Sequence, residues 1–328
     1  MQNKSFPSLV CFYDQTVLKE NGDSKLCCEK GHTYPIIDGI PRVLENPSNY
    51  ANAFGLQWNI YRLTQLDSYS KVPVSRNRLK RCLGEDLWQL LSKPGKRVEI
   101  LEVGCGAGRF TEVLLNLPGA SVTSIDLSSA VDANLVNCPI SDMHRIIQCD
   151  LNNLPFLIEE FDIVICLGVI QHTPSPEKTI HDLYKSVKPG GHLVIDHYTH
   201  NLSHYTKFSE HFIRPILKRM NPDKAVRVTK FFTKLFFPLH RLVKNNRFLQ
   251  IILSRFSPLL TYYHSLPELN DQLQYEWSEL DTHDYLTDYY KHLRSKYAIN
   301  KCLLNLNADN IWVEKGGNGV EARCKKSI

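Results

Sequence analysis

The sequence predicts an α/β protein with a mostly parallel sheet layered between helices, and three observations carry that expectation. Strand-like runs recur at Val98–Val103, Ala120–Asp126, Arg145–Asp150, Phe161–Leu167 and His192–Asp196, with helically spaced stretches between them. The first run ends in Gly104-Cys105-Gly106-Ala107-Gly108 and leads straight into Thr111–Leu117. Glycine is needed where backbone takes φ > 0 or lies against a ligand with no room for a Cβ. The fourth run is almost wholly apolar, as a strand covered on both faces by helices must be.

Residues 1–45 read as a small ribbon-like unit ahead of this core. Leu9-Val10-Cys11-Phe12-Tyr13-Asp14 opens it, and Leu26-Cys27-Cys28-Glu29-Lys30-Gly31-His32 begins its second half. Two knuckles, each opening with a cysteine and separated by a polar loop, suggest a zinc ribbon. Cys11, Asp14, Cys28 and His32 are the candidate ligands. Carboxylates bind zinc but are rare in structural sites, so a structural zinc and a metal-free ribbon both stay open. Asp38-Gly39 among apolar residues predicts a small hairpin in either case. Residues 46–95 read as a linker and N-terminal helices, with an aromatic-rich stretch at Asn52–Arg62 and apolar residues at 79, 83, 87, 88, 90 and 91. Ser92–Lys96 is a loop.

Residues 96–200 hold the core. A dinucleotide fingerprint, G-x-G-x-x-G, would put its third glycine at 109, which is Arg109; the spacing here is G-x-G-x-G, with Glu102 two positions ahead. Asp126 ends the second strand, 22 positions after Gly104. An acid there can bind both hydroxyls of a ribose, or cap the next helix, a job open also to Ser128 and Ser129. Asp150 ends the third strand, Gly168-Val169-Ile170-Gln171-His172 follows the fourth, and Pro189-Gly190-Gly191 precedes the fifth apolar run. Residues 301–328 contain Asn310–Glu314 and Val320–Cys324 around Gly316–Gly319, a closing hairpin.

In this order the features resemble class I S-adenosylmethionine-dependent methyltransferases, and Glu102–Gly108 resembles motif I of that family. The resemblance implies a Rossmann-like, seven-stranded, mostly parallel sheet with an antiparallel C-terminal hairpin and the ligand at the strands' carboxyl ends. It implies S-adenosyl-L-methionine as cofactor, bound by Glu102, Gly104, Cys105, Gly106, Gly108, Asp126, Leu127, Leu167 and Gly168. Asp150 would accept from the adenine amino group while the Leu151 backbone pairs with the ring. The ribbon is similar to one preceding the catalytic domain in some bacterial methyltransferases, an rRNA guanine methyltransferase group among them. Their second knuckle includes C-x-x-x-H, matched here by Cys28 and His32, whereas Asp14 departs from the first knuckle's C-x-x-C. In enzymes of this build the N-terminal helices cross the pocket mouth; plain packing of Trp58 and Tyr61 is the alternative.

The cofactor's sulfonium makes its methyl electrophilic, so the protein need only align a nucleophile and remove its proton. A positioned base is worth about 10²–10⁴-fold. His172, just past strand four, is the candidate base, or else it shapes the pocket. His197 and His283 are further candidates. The fourth loop lacks the Asn/Asp-Pro-Pro-aromatic signature of amine methylation on bases, and no Pro-Cys or Thr-Cys loop offers a nucleophile for cytosine. An oxygen acceptor on a small molecule follows.

Residues 201–300 read as a basic helical insertion or lid. From Lys207 to Arg255 twelve Lys/Arg stand against two acids, a local +10. Val228, Phe231, Phe232, Leu235 and Phe236 form one helical stripe, with Arg227, Lys230 and Lys234 on the other side, and Pro238 stops or kinks the helix. Such a segment serves as a lid over substrate, as a contact for an anionic membrane surface or lipid-linked substrate, or as an RNA contact. Tyr275–Tyr290 resembles the segment that comes over the active site in ribbon-bearing methyltransferases. It offers Asp284, Tyr285 and Tyr289, with Gln171, His197 and His283 beside them, as substrate residues.

The chain of 328 residues is 43% hydrophobic, with a net charge of +5 and no apolar run long enough to span a bilayer. No apolar run follows the N-terminus, so no secretory leader is expected. Ten scattered cysteines suit reduced thiols in the cytoplasm, with peripheral membrane attachment open. The reading is O-methylation of a small or carrier-linked metabolite such as a sugar, polyketide or quinone precursor. An rRNA or tRNA methyltransferase and a non-catalytic cofactor-binding scaffold are the alternatives.

Overall fold

Residues 6–22, 24–45, 50–201 and 205–328 are described by the computed structural model. The N-terminal five residues, the first linker positions 46–49 and the opening of the insertion at 202–204 lie outside them. The strands are β1 (Lys19–Asn21), β2 (Lys25–Cys27), β3 (Thr33–Ile37), β4 (Ile40–Val43), β5 (Val98–Val103), β6 (Ala120–Asp126), β7 (His144–Cys149), β8 (Phe161–Cys166), β9 (Val187–His197), β10 (Asp309–Gly316) and β11 (Gly319–Lys325). They form one sheet in the order β1-β2-β3-β4-β7-β6-β5-β8-β9-β11-β10.

The expected seven strands, β7-β6-β5-β8-β9-β11-β10, are the larger part of it. β5 to β9 run parallel, and β11 and β10 close the edge antiparallel. Side-chain alternation explains why the middle is dry on both sides. Val98 and Ile100 pack with Ile163, Ile165 and the helix α3 (Val74–Ser92) on one face; Leu101 and Val103 pack with Val164 and Cys166 on the other.

The N-terminal unit extends this sheet rather than hanging from it. β4 pairs in parallel with β7, Arg42 opposite Gln148 and Val43 opposite Cys149. Arg42 ties the seam by donating to Gln148 Oε1 at 3.0 Å and Asp132 Oδ1 at 2.6 Å. Asp38 and Gly39, both at positive φ, make the tight β3–β4 turn that their sequence predicts. Cys11, Leu18, Leu26, Tyr34 and Val43 belong to the same apolar cluster as Leu101 and Val164.

Helices α1 (Asn52–Ile60) and α2 (Asp67–Ser70) precede α3; α4 (Thr111–Leu115), α5 (Ala130–Asn137) and α6 (Pro176–Lys185) alternate with the parallel strands. The insertion contributes α7 (Phe208–Phe212), α8 (Arg214–Leu217), α9 (Pro222–Leu242), α10 (Arg247–Phe256), α11 (Asp271–Thr287) and α12 (Lys296–Asn305). Asn221, Asn246, Asn270 and Ser295 cap α9 to α12 by accepting from backbone N–H groups of the first turn. One expectation changes here, and the direction of the helical stripe is settled. α9 runs on through Pro238 to Leu242, and its buried stripe is Ala225, Val226, Thr229, Thr233, Phe237 and His240; Phe231 and Leu235 face out.

Candidate active site

A cleft of about 830 Å³ lies over the carboxyl ends of β5, β6, β7 and β8. The chain turns from β5 to α4 on one side of the strand-order reversal and from β8 on the other, where open parallel sheets form ligand crevices. Gly104 and Gly106 lie on its wall at φ +71° and +52°. A Cβ on Gly104 would strike Val169, and one on Gly106 would press the Trp58 ring at 3.4 Å. Asp126 accepts from the Gly106 N–H at 3.0 Å and from the Ser128 N–H and hydroxyl at 2.8 and 2.7 Å. Ser128 in turn accepts from Ala130 N at 3.2 Å, and Ser129, the N-cap residue of α5, makes no side-chain cap bond. Burial pushes the Asp126 carboxyl up, a cost that hydroxyl donors in the cleft would relieve. Cys105, Leu127, Leu151, Leu167 and Gly168 also line this half. Tyr50, Phe54 and Trp58 close it from the N-terminal helices, while Tyr61 packs beneath and donates to Glu279 at 2.7 Å.

Three expected cofactor contacts do not reach the wall. Glu102 is buried behind the loop, where it accepts from Thr111 and Ser124 hydroxyls at 2.6 and 3.0 Å. Burial raises its pKa to about 7, and its hydrogen bonds link the end of β5 to β6 and α4. Gly108, at φ +94°, backs onto Cys138. Asp150 turns its carboxylate to its own loop, on Asn152 N and Nδ2 at 2.8 and 2.9 Å, between the lining residues Cys149 and Leu151.

His172 stands in the cleft wall with Nδ1 3.1 Å from the Tyr290 carbonyl and 3.6 Å from Asp288 Oδ2. A carbonyl only accepts, so Nδ1 carries the proton and Nε2 keeps its lone pair. The ring is wedged between Phe54 and Tyr198, each 5.3 Å away. Burial lowers its pKa, and Asp288 opposes that shift. Arg214 of α8 holds Asp288 in turn, Nε to Oδ1 at 2.7 Å.

The far half of the cleft is polar and comes from the insertion. Asp284 and Tyr285 face it from α11, and burial with Asp288 and Asp281 nearby pushes the Asp284 carboxyl well up. Asp281 accepts from Tyr262 and from Gln65 Nε2 at 3.0 Å. Lys291 sits 3.5 Å over the Tyr285 ring and pairs with Glu210 at 2.8 Å. Lys207, driven by burial down to about 7, donates to Leu259 O at 2.8 Å.

The remaining substrate expectations are corrected by position. Gln171 is fully buried outside the cleft, its amide without a partner among the described residues. His197 is buried against the Tyr198 carbonyl at 2.8 Å, and His283 faces Thr229 at 3.3 Å; burial lowers both to about 4. Tyr289 is 53% exposed, edge-on to Tyr290. Phe54, Asp288 and Tyr290, which surround His172, are not among the residues the sequence singles out, although the resemblance of Tyr275–Tyr290 puts two of them in a segment expected over the site.

In the N-terminal unit the ligand atoms of Cys11, Asp14, Cys28 and His32 lie within 4.8 Å of one another. His32 Nδ1 is 3.3 Å from Cys28 Sγ, 3.5 Å from Cys11 Sγ and 3.2 Å from Asp14 Oδ2. Bond lengths of about 2.0–2.3 Å in a tetrahedron give ligand separations of roughly 3.3–3.8 Å, so the donor set fits zinc with small adjustment.

Residues 101–195 match the family described as "Methyltransferase domain". The chain is 32% identical over 124 residues to a ubiquinone biosynthesis O-methyltransferase of Pseudomonas putida, covering 35% of this chain and 50% of that protein. It is 33% identical over 119 residues to the enzyme of the same name from Coxiella burnetii, covering 36% and 50%. The chain thus spans about half the length of the curated relatives it matches. Among solved structures, an S-adenosylmethionine-dependent methyltransferase of Mesorhizobium loti aligns over 79% of this chain and 99% of its own, at 13% identity and TM-score 0.43. Human N-acetylserotonin methyltransferase aligns over 87% and 64%, at 15% identity and TM-score 0.43.

Proposed function

We propose, with residues 101–195 taken as a methyltransferase domain of the class I S-adenosylmethionine-dependent kind, that the protein methylates a hydroxyl oxygen of a small or carrier-linked metabolite. The observation that carries this reading is one cleft holding the Gly104–Gly106 loop, Asp126 and a histidine with a free Nε2. S-adenosylmethionine, when bound, supplies a sulfonium-activated methyl group. The residues fit it: the Gly104–Gly106 turn leaves backbone bare where a Cβ would intrude, and Asp126 keeps lone-pair capacity for ribose hydroxyls. Leu127, Leu151 and Leu167 supply apolar walls for the adenosine.

His172 Nε2 takes the acceptor's proton, Tyr290 fixes the tautomer, and Asp288 stabilises the imidazolium that results. Asp284, pushed toward its protonated form, and Tyr285 orient the acceptor's oxygens. Phe54 and Trp58 exclude water from the reacting side. A phenolic or enolic hydroxyl suits this set, since a histidine base is matched to such acidity; the relatives' names favour a quinone precursor over a sugar or polyketide. An rRNA or tRNA acceptor finds support in the ribbon's resemblance and in the +10 charge of 207–255, and the charge we read instead as a contact for an anionic surface. For the N-terminal unit we propose a structural zinc on Cys11, Asp14, Cys28 and His32.

Titration calorimetry with S-adenosylmethionine on wild type and Asp126→Ala tests the cofactor. Binding lost in the variant is expected; a wild type that takes up no cofactor would end the reading.

A further inference from the structure

The segment 205–256 leaves outside what helices ordinarily bury. α9 packs on α1 and α11 through small and polar residues around Phe237. Its apolar stripe points away: Phe231, Leu235, Leu239 and Leu242 are 61, 52, 46 and 83% exposed. At about 100° per residue these four span roughly a quarter of the circumference, and Arg227, Lys230, Lys234 and Arg241 fall on the adjoining flank.

α10 repeats the pattern. Only Gln250 of its ten residues is buried, tied to His240 by hydrogen bonds of 2.8 and 2.5 Å. Phe248, Leu249, Ile251, Ile252 and Phe256 are exposed. α7, which touches α10, adds Phe208 and Phe212, stacked at 4.5 Å. Thirteen of the 27 exposed large apolar side chains among the described residues fall in these 52 positions. An apolar field of that extent marks an interaction site.

We infer that the outer face of α7, α9 and α10 docks the protein on an anionic lipid bilayer, with the cleft opening beside it. Charge selects this occupant. The segment carries +10 from Lys207 to Arg255, and Lys218, Arg219, Arg227, Lys234 and Arg247 make no ion pair among the described residues. Basic residues flanking a Phe/Leu/Ile face are what an interfacial helix needs: the cations meet lipid phosphates and the apolar side chains enter the acyl boundary. RNA would use the cations and stack on aromatics but leave the leucines and isoleucines wet. A second copy would bring +10 against +10 across a self-complementary interface. No helix of the described residues is long and apolar enough to cross a membrane, so attachment is at the surface. Lys207 and Ser254 line the cleft from this same segment, and Leu259 and Leu260 just after it, giving a lipid-tailed substrate a short route in.

Flotation of the full chain with phosphatidylcholine vesicles, with and without phosphatidylglycerol, tests the proposal. Wild type should float with the anionic vesicles only. Phe248→Ser/Ile252→Ser should bind on the order of tenfold more weakly, and Arg227→Gln/Lys234→Gln should lose roughly fivefold per basic side chain. All three should bind S-adenosylmethionine alike, which separates a failure of docking from a failure of the methyl-transfer reading. The proposal is overturned by a wild type that ignores both vesicle types, or by an apolar variant that floats undiminished. It also falls if wild type sediments as a dimer that the apolar variant dissolves. Tight RNA binding abolished by the charge variant and untouched by the apolar one would reassign the face to RNA.

Discussion

At His172, the base we propose, the structure decides which nitrogen keeps its proton. The Tyr290 carbonyl claims Nδ1–H, and Asp288 stands behind. A base works deprotonated, and burial lowers the His172 pKa from its ordinary value of about 6.5. Activity should therefore hold down to pH values beneath that figure and fall only as pH drops through the lowered pKa. Asp288→Asn removes an influence that raises the pKa, so the acid limb should move further down in a kcat/KM profile. His172→Ala should cost about 10²–10⁴ in kcat with cofactor affinity unchanged; a variant that turns over normally would leave His172 a wall residue. His172 was legible from its position just past the fourth strand. Its individual partners were not: resemblance put Tyr275–Tyr290 over the site, but Asp288 and Tyr290 lie more than a hundred positions on, and only the folded insertion pairs them with it. Glu102 misled for the converse reason: sequence proximity to the glycines does not say which way a strand residue points, and this one points inward.

Among the elements, α9 and α10 carry the clearest departure from sequence periodicity. The apolar stripe of α9 was visible, and the ordinary inference sends such a stripe inward. Here α9 buries Thr229 and His240, because His283 of α11 and the Gln250 amide offer them partners, while Thr233 donates back to the Thr229 carbonyl. The helices of the insertion are started by local caps, since Asn or Ser ahead of α9 to α12 accepts from first-turn N–H groups. α10 hangs on α9 largely through the buried His240–Gln250 pair. Gln250→Leu leaves the His240 ring and carbonyl without a buried partner, and should destabilise by about 1–3 kcal/mol in a urea titration. A neutral effect would mean that α10 is held by its apolar neighbours instead.

Across the whole molecule, the parallel strands, the glycine turn and the closing hairpin could all be read from residue runs, because each is local. The joining of the ribbon to the sheet could not, since β4 meets β7 across more than a hundred residues of chain. Its side chains share one apolar cluster with the central strands. Zinc bound at Cys11, Asp14, Cys28 and His32 would then stabilise the whole sheet, not a detached knuckle. Metal analysis should find one zinc per chain, and a chelator or His32→Ala should lower Tm in a single cooperative transition. An unaltered melt would make the ribbon metal-free.

The seam between β4 and β7 also bears on synthesis. Arg42 leaves the ribosome roughly a hundred residues before Gln148, its neighbour in the finished sheet. Until then the ribbon has no edge to join, and closing so long a loop is entropically unfavourable and slow. The ribbon is therefore synthesised well before the strand that seats it. A nascent chain would carry Cys11, Cys28 and His32 free during that interval, and early metal capture would keep the waiting ribbon folded.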